Sequence, residues 1–298
     1  MMNKVKLMIA LLRPQQWGKN LFVFVPVFFD RHMADLLYLR ATFILFIVFC
    51  FMESSVYCFN DIYDADDDAK YPDKRKRLIA SGLVSKSIGY VIMIICLILS
   101  AFVFFFFRNI FLNLSEVISV LVLYLLMNVA YTIILKQICI VDVFIIAIGY
   151  VFRILAACFS TNIYMSHWVV LMTFLLALFL AFAKRREDVV MTEKESALIR
   201  RGIGKYNVVF VNQAITITGC ITMVCYIMYS VSPEVVSRFD NQYIYLTSIF
   251  VLAGIIRFLQ IIIVDKKSGE PFELLIKDGF IIGCVLCWVL SFTLIFYA

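Results

Sequence analysis

Nine apolar runs, most of them near the roughly 20 residues that carry a helix across a bilayer, occupy most of the sequence between residues 19 and 297. They fall near 19–35, 40–59, 87–107, 117–135, 140–160, 166–183, 207–229, 243–264 and 277–297. The runs are continuously apolar, without the alternation of a membrane β-strand, so each predicts a helix. With 63% hydrophobic residues, the chain exceeds the roughly half that soluble domains carry, and its mean hydropathy is +0.96. The expected fold class is all-α integral membrane, nine transmembrane helices in one polytopic domain over residues 1–298. The first run is the weakest, because its clean apolar stretch extends only from Leu21 to Phe29.

The basic residues orient these helices. With the N-terminus in the cytoplasm, segments 1–19, 60–86, 136–139, 184–206 and 265–277 carry 21 Lys and Arg, against four in the opposite connections. That asymmetry is the positive-inside pattern of a cell-membrane protein, with the C-terminus on the far side. The net charge of +6 therefore reads as topology and needs no nucleic-acid partner. No signal-peptide cleavage site follows the basic-then-apolar start, and no Gly/Ser- or Pro-rich linker divides the chain. The cysteines lie almost entirely in apolar runs, Cys284 and Cys287 included, and read as packing residues. His32 and His167, the only histidines, fall on the far side, which sets aside a histidine-based metal centre.

Two charged cytoplasmic connections, 60–86 and 184–206, are expected to cap an active site at the cytoplasmic face. The first begins NDIYDADDDAKYPDKRKRLIASG and holds six Asp and five Lys or Arg in residues 60–82. On a helix at about 100° per residue, Asp61, Asp64 and Asp68 share one face, with Asn60 at its margin. Three carboxylates side by side repel unless cations lie among them. Their hard oxygens suit Mg²⁺, with Mn²⁺ the alternative, and Mg²⁺ binds through a few carboxylates plus substrate phosphates. Lys74, Arg75, Lys76 and Arg77 follow directly and suit phosphate oxygens. Metal ligands followed by a basic clamp are what a diphosphate leaving group requires. A solvated charged hairpin would account for the basic residues but not for three carboxylates on one face.

The pattern N-D-x-x-D-x-x-x-D at 60–68, after the second predicted helix, resembles the first Asp-rich motif of the UbiA superfamily of intramembrane prenyltransferases. The stretches RPQQWGKN (13–20), YPDKRKRLIASG (71–82), KQICIVDV (136–143), GYVFRILAA (149–157), AFAKRREDV (181–189) and GEPFELLIKD (269–278) are similar to the decaprenyl-phosphate phosphoribosyltransferase family, over essentially the whole chain. The resemblance implies a UbiA-like helical bundle. It also implies transfer of 5-phosphoribose from 5-phosphoribosyl 1-diphosphate to a polyprenyl phosphate at the membrane, releasing diphosphate. Two positions depart from it: Leu78 stands where relatives usually have Pro, and Gly18 where they have a bulkier residue. Oligomeric state is left open.

The second charged connection discriminates between branches. Aromatic prenyltransferases of the superfamily carry a D-x-x-x-D motif there, whereas this chain has KRREDVVMTEKE. Lys184, Glu187 and Asp188 share a helical face, and with Arg185 they are candidates to hold the extra phosphates of a ribosyl donor and a lipid phosphate. A helix end at the membrane interface would also produce such charges. Tyr131 and Lys136 join the substrate-binding candidates. Arg153 lies inside a span, where a charge is costly and usually functional or paired. It either supports the phosphate site or pairs with another helix; Asp142, about 16 Å along the same helix, is too far. Lys19, beside Trp17, either meets the lipid phosphate or anchors the first helix. Arg257 and Gln260 form a second polar patch within a span. The competing expectations are prenyl transfer to an aromatic acceptor, a lipid transporter and a scaffold.

Overall fold

The computed structural model describes residues 4–71, 74–195, 206–265 and 271–297, and these form helices, turns and connections without a strand. The chain divides into two compact units, Met1–Met165 and Ser166–Ala298, each described by itself.

In the first unit, α1 (Lys4–Leu12) stops at Arg13, whose backbone is left-handed (φ 52°, ψ 54°) immediately before Pro14. A 3₁₀ segment follows over Pro14–Phe24, then a five-residue α2 (Val25–Phe29), then a turn through Arg31 at φ 63°. The expected span at 19–35 is therefore not one α-helix. Pro14 and Pro26 lack the amide hydrogens a continuous helix needs, and Arg31 turns the chain. A 3₁₀ helix rises about 2.0 Å per residue, so the 11 residues of Pro14–Phe24 rise about 22 Å. The short apolar run thus reaches further than an α-helix of equal length.

The central helix is α3 (Leu36–Asp68, 33 residues), N-capped by Asp35, whose Oδ1 accepts from Leu37 N at 2.9 Å. At 1.5 Å per residue it is about 50 Å long, well beyond a hydrocarbon core of about 30 Å. Residues 60–68, expected in a connection, are its last turns. No Gly or Pro occurs between Leu36 and Tyr71, so nothing in the sequence interrupts the helix. Around it stand α4 (Lys86–Phe106), α5 (Leu114–Ile133) and α6 (Val141–Thr161). Val23, Leu45, Val48, Phe49, Val117 and Ala157 are buried between them, with Phe49 edge-on to Tyr124 at 5.3 Å. A second cluster, including Leu11, Cys58, Ile62 and Ile92, joins α1 to α3 and α4, with Leu78 packed at its margin. Gly89 lets α4 approach closely: a Cβ there would lie 2.8 Å from Ile79 Cδ1 and 3.0 Å from Ile62 Cγ1. Outward, α4 presents Val91, Ile94, Ile98, Phe102 and Phe105, the disposition of a helix against lipid.

The second unit holds α7 (His167–Glu195), α8 (Val208–Val231), α9 (Pro233–Phe239), α10 (Ser248–Ile263), α11 (Pro271–Lys277) and α12 (Gly279–Tyr297). The charges at 184–195, also expected in a connection, continue α7, again with no Gly or Pro to stop it; residues 196–205 lie outside the described residues. Asn207 caps α8 and Asp278 caps α12. Trp288 Nε1 donates to Tyr226 Oη at 2.7 Å, and that oxygen lies 2.6 Å from Thr247 Oγ1, a buried link between α8, α12 and the turn before α10. Among the described residues, seven helices are long and apolar enough to cross a membrane, and α12 is a shorter apolar helix.

Candidate active site

The last three turns of α3 place Asp61, Asp64 and Asp68 on one buried face, at 4%, 8% and 4% exposure. The i, i+3, i+7 spacing aligns them, and the continuous helix fixes them. Each carboxylate meets a basic side chain from a different segment. Arg13, at the break between α1 and the 3₁₀ segment, sets its Nη2 at 2.6 Å and 2.8 Å from the two oxygens of Asp61. Arg77, just past a short 3₁₀ turn at Lys74–Lys76, donates to Asp68 Oδ2 at 2.6 Å and reaches Asp61 Oδ1 at 3.5 Å. Lys136, from the 3₁₀ turn Leu135–Gln137 between α5 and α6, pairs with Asp64 and lies 3.5 Å from Asn60 Oδ1. Tyr57 and Tyr63 present ring faces to Arg13 and Lys136, at 5.0 Å and 5.1 Å.

The break that presents Arg13 is tied to α3. Ser54 Oγ lies 2.8 Å from the Leu12 carbonyl and accepts from Trp17 Nε1 at 3.0 Å, and Cys58 Sγ lies 3.9 Å from the Leu11 carbonyl. Ser54, Cys58 and Asp61 therefore hold three successive residues, two backbone carbonyls and the Arg13 side chain, along one helix.

Deeper along α3, eight residues before Asp61 and so about 12 Å away along the axis, Glu53 is buried at 5% exposure. It accepts from Asn20 Nδ2 at 2.8 Å and Tyr57 Oη at 3.2 Å, and pairs with Arg153 Nη2 at 3.4 Å. Arg153 also donates to Asn20 Oδ1 (2.7 Å), the Gly149 carbonyl (2.9 Å) and Tyr124 Oη (3.1 Å), with the rings of Phe49, Tyr124 and Tyr150 around its guanidinium. Of the two expectations for Arg153, the structure provides the partner from another helix, and that partner is Glu53.

The structure thus brings together Asn60, Asp61, Asp64, Asp68, Arg77 and Lys136. Lys74 is half-buried, with its Nζ 5.9 Å from the Tyr71 ring centre, and Arg75 is exposed. Lys19 is half-buried on the 3₁₀ segment, within electrostatic reach of Tyr124 and Tyr150, and Tyr131 is half-buried near the end of α5. In the second unit, Lys184 pairs with Glu187 and Arg185 with Asp188, both at 2.7 Å along α7, and Arg186 donates to Asn212 of α8. Arg257 binds Gln260 and, through two nitrogens, Asp278; the Arg257 guanidinium holds the Asp278 carboxyl below the usual carboxylate range. Past the end of α3, the exposed Lys70 is raised by its hydrogen bond to Asp67. Sequence reasoning missed Arg13, Glu53 and Asn20. Arg13 and Asn20 were visible as the ends of RPQQWGKN, and Glu53 as an acid inside an apolar run.

Residues 26–276 match the model of the UbiA prenyltransferase family. A decaprenyl-phosphate phosphoribosyltransferase of Mycolicibacterium smegmatis is 27% identical over 299 residues, 96% of this chain and 91% of that one. One from Mycobacterium tuberculosis is 25% identical over 295 residues, 96% and 93% of the two chains. Among solved structures, a UbiA homologue from Archaeoglobus fulgidus bound to DMAPP and Mg²⁺ superposes with a TM-score of 0.65 at 17% identity, covering 97% of this chain and 98% of that chain. The helical fold, the Asp-bearing end of α3 and the family match over most of the sequence agree: this chain is a transferase belonging to the UbiA prenyltransferase family.

Proposed function

We propose that the protein transfers 5-phosphoribose from 5-phosphoribosyl 1-diphosphate to a polyprenyl phosphate of decaprenyl type, at the cytoplasmic face of the cell membrane. The observation that carries this reading is the end of α3, where three buried carboxylates meet Arg13, Arg77 and Lys136. Similarity to phosphoribosyltransferases over 96% of the chain supports this donor over a prenyl diphosphate.

The donor set fits a hard divalent ion. Mg²⁺ takes one or two carboxylates and completes its shell with water and substrate phosphates. Among the described residues no three acidic, His or Cys side chains are grouped so as to hold a metal by themselves, so phosphate oxygens and water would have to complete its shell. Asp61, Asp64 and Asp68 would hold it, and it would neutralise charge building on the departing diphosphate. Arg13, Arg77 and Lys136, with Lys74 and Arg75 nearby in sequence, would bind phosphate oxygens. From the sequence pattern of α7, Lys184, Arg185, Glu187 and Asp188 are also assigned to substrate binding. As the ribose C1–O bond breaks, the diphosphate leaves with the electron pair and positive charge develops at C1. An oxygen of the lipid phosphate, already anionic at neutral pH, forms the new C1–O bond without a general base. Attack opposite the leaving group inverts C1.

The test is purified protein in detergent with Mg²⁺, polyprenyl phosphate and 5-phosphoribosyl 1-diphosphate, read by mass spectrometry. The expected product is the phosphoribosylated lipid. A parallel reaction offers a prenyl diphosphate and aromatic acids, and a prenylated aromatic with no ribosylated lipid would overturn the reading.

A further inference from the structure

We propose that Arg13 is a latch: it occupies Asp61 against a bare divalent ion and releases it when a diphosphate draws the guanidinium away, so that metal and diphosphate bind as a unit. This rests on Asp61 being a metal ligand, as proposed above. Nη2 of Arg13 lies within 2.8 Å of both Asp61 oxygens, so the cation stands where a metal would approach that carboxylate. A guanidinium and a divalent ion repel, and the two cannot share one carboxylate face-on. Of the pair, Arg13 is the partner able to move. Its side chain is 22% exposed whereas Asp61 is 4% exposed and fixed in a continuous helix.

The root of the latch is held by backbone contacts, while its tip rests on Asp61 and the Tyr57 ring. The left-handed backbone of Arg13 is one that non-glycine residues seldom adopt unless their surroundings impose it. Here Ser54 and Trp17 secure the Leu12 carbonyl and the following turn, and Cys58 lies against the Leu11 carbonyl. A diphosphate offers a guanidinium more charge and more acceptor oxygens than one carboxylate. Drawing Arg13 onto phosphate uncovers Asp61 for the metal, and a metal at Asp61 displaces Arg13 towards phosphate. Linkage makes the effect reciprocal. Arg77, which spans Asp68 and Asp61, supports the same exchange.

The test measures Mn²⁺ bound to the full chain in detergent, by equilibrium dialysis with EPR detection, with and without inorganic diphosphate. The wild type is expected to bind Mn²⁺ poorly alone and at least about tenfold more tightly with diphosphate, within the usual range of site-to-site coupling. Arg13→Gln is expected to bind Mn²⁺ alone about tenfold more tightly than the wild type and to gain less from diphosphate. Unchanged or weaker binding of Mn²⁺ alone by that variant overturns the latch, because a merely structural arginine would lower affinity when removed. Should Arg13→Gln fail to fold, Arg13→Lys replaces it. It is expected to shift the same way by a smaller factor, and no shift overturns the proposal. Asp61→Asn separates the two levels. If it binds Mn²⁺ with diphosphate like the wild type, the metal assignment itself fails and the latch with it. If it loses that binding while Arg13→Gln is unchanged, only the latch fails.

Discussion

Removing the Glu53 carboxylate should destabilise the protein more than almost any other single change in its first unit. Glu53→Ala leaves Arg153, 4% exposed, with its charge uncompensated, and leaves Asn20 Nδ2 without its 2.8 Å acceptor. Breaking a buried ion pair costs about 3–5 kcal/mol, while Asn20 Nδ2 keeps Cys50 Sγ at 3.4 Å as a weak acceptor. Arg153 would keep Asn20 Oδ1, the Gly149 carbonyl and Tyr124 Oη as acceptors. The 3.4 Å contact to Glu53 is also longer than a direct hydrogen bond. The expected total is therefore near the lower bound, about 3 kcal/mol. The assay is reversible denaturation in mixed micelles, run as a double-mutant cycle with Arg153→Met and Glu53→Met. The two single variants are expected to lose stability, and the double variant to recover at least about 2 kcal/mol of the sum, since an apolar pair of similar volume replaces the ions. Additivity would refute the pairing. A double variant that is stable but has lost donor affinity would instead return Arg153 to the phosphate site.

Asp61→Ala and Asp68→Ala should each reduce transfer by at least about 100-fold, as expected for losing a group that stabilises leaving-group charge; turnover near wild type in either would refute the metal assignment. Chelation with EDTA should abolish transfer, and Mg²⁺ or Mn²⁺ should restore it; full activity in EDTA counts against a metal. The product should be inverted at C1, which NMR of the ribosyl phosphate would establish, and retention would imply a front-side or covalent route. Asp278, held below the usual carboxylate range by Arg257, should add stability that is complete above the unfolded value of about 3.9 and is lost as pH falls through the lower folded value. Asp278→Asn should flatten that acid limb, and an unchanged denaturation profile below about pH 4 would show that the pair contributes nothing.

The helical class and the Asp face were legible because both rest on local period. Asp61, Asp64 and Asp68 lie on one face of any α-helix, and the structure supplies that helix. The run at 19–35 was misread because length at 1.5 Å per residue presumes α-geometry, and Pro14–Phe24 is 3₁₀. The charged stretches 60–68 and 184–195 were assigned to connections because charge suggested an exit from the membrane. The backbone continues regardless, since charge does not break a helix in the absence of Gly or Pro. Arg13 heads the family-like stretch RPQQWGKN, yet nothing in the sequence marks it as a site residue. Its meeting with Asp61 is a contact across 48 positions, set by the left-handed turn before Pro14, and no period in the sequence records it. Glu53 and Arg153 were each anomalous inside an apolar run, but which partner each takes depends on how three elements pack.

The mixed signs at the end of α3 answer two physical demands at once. Buried carboxylates without partners would be costly to hold at the edge of a membrane, so folding alone requires cations near Asp61, Asp64 and Asp68. Diphosphate chemistry requires cations in the same place. On the function proposed above, the chain would meet both with one set, drawn from the turn before Pro14, the segment after Lys74 and the turn at Lys136. Replacing any one of these cations should therefore lower stability and substrate affinity together, and activity alone cannot separate the two. Paired neutralisation can. Arg77→Gln with Asp68→Asn removes a charge of each sign, so it should restore much of the stability lost in Arg77→Gln while leaving transfer absent. If stability and transfer instead recovered together, Asp68 and Arg77 would be a structural pair, and the chemistry would belong to Asp61 and Asp64.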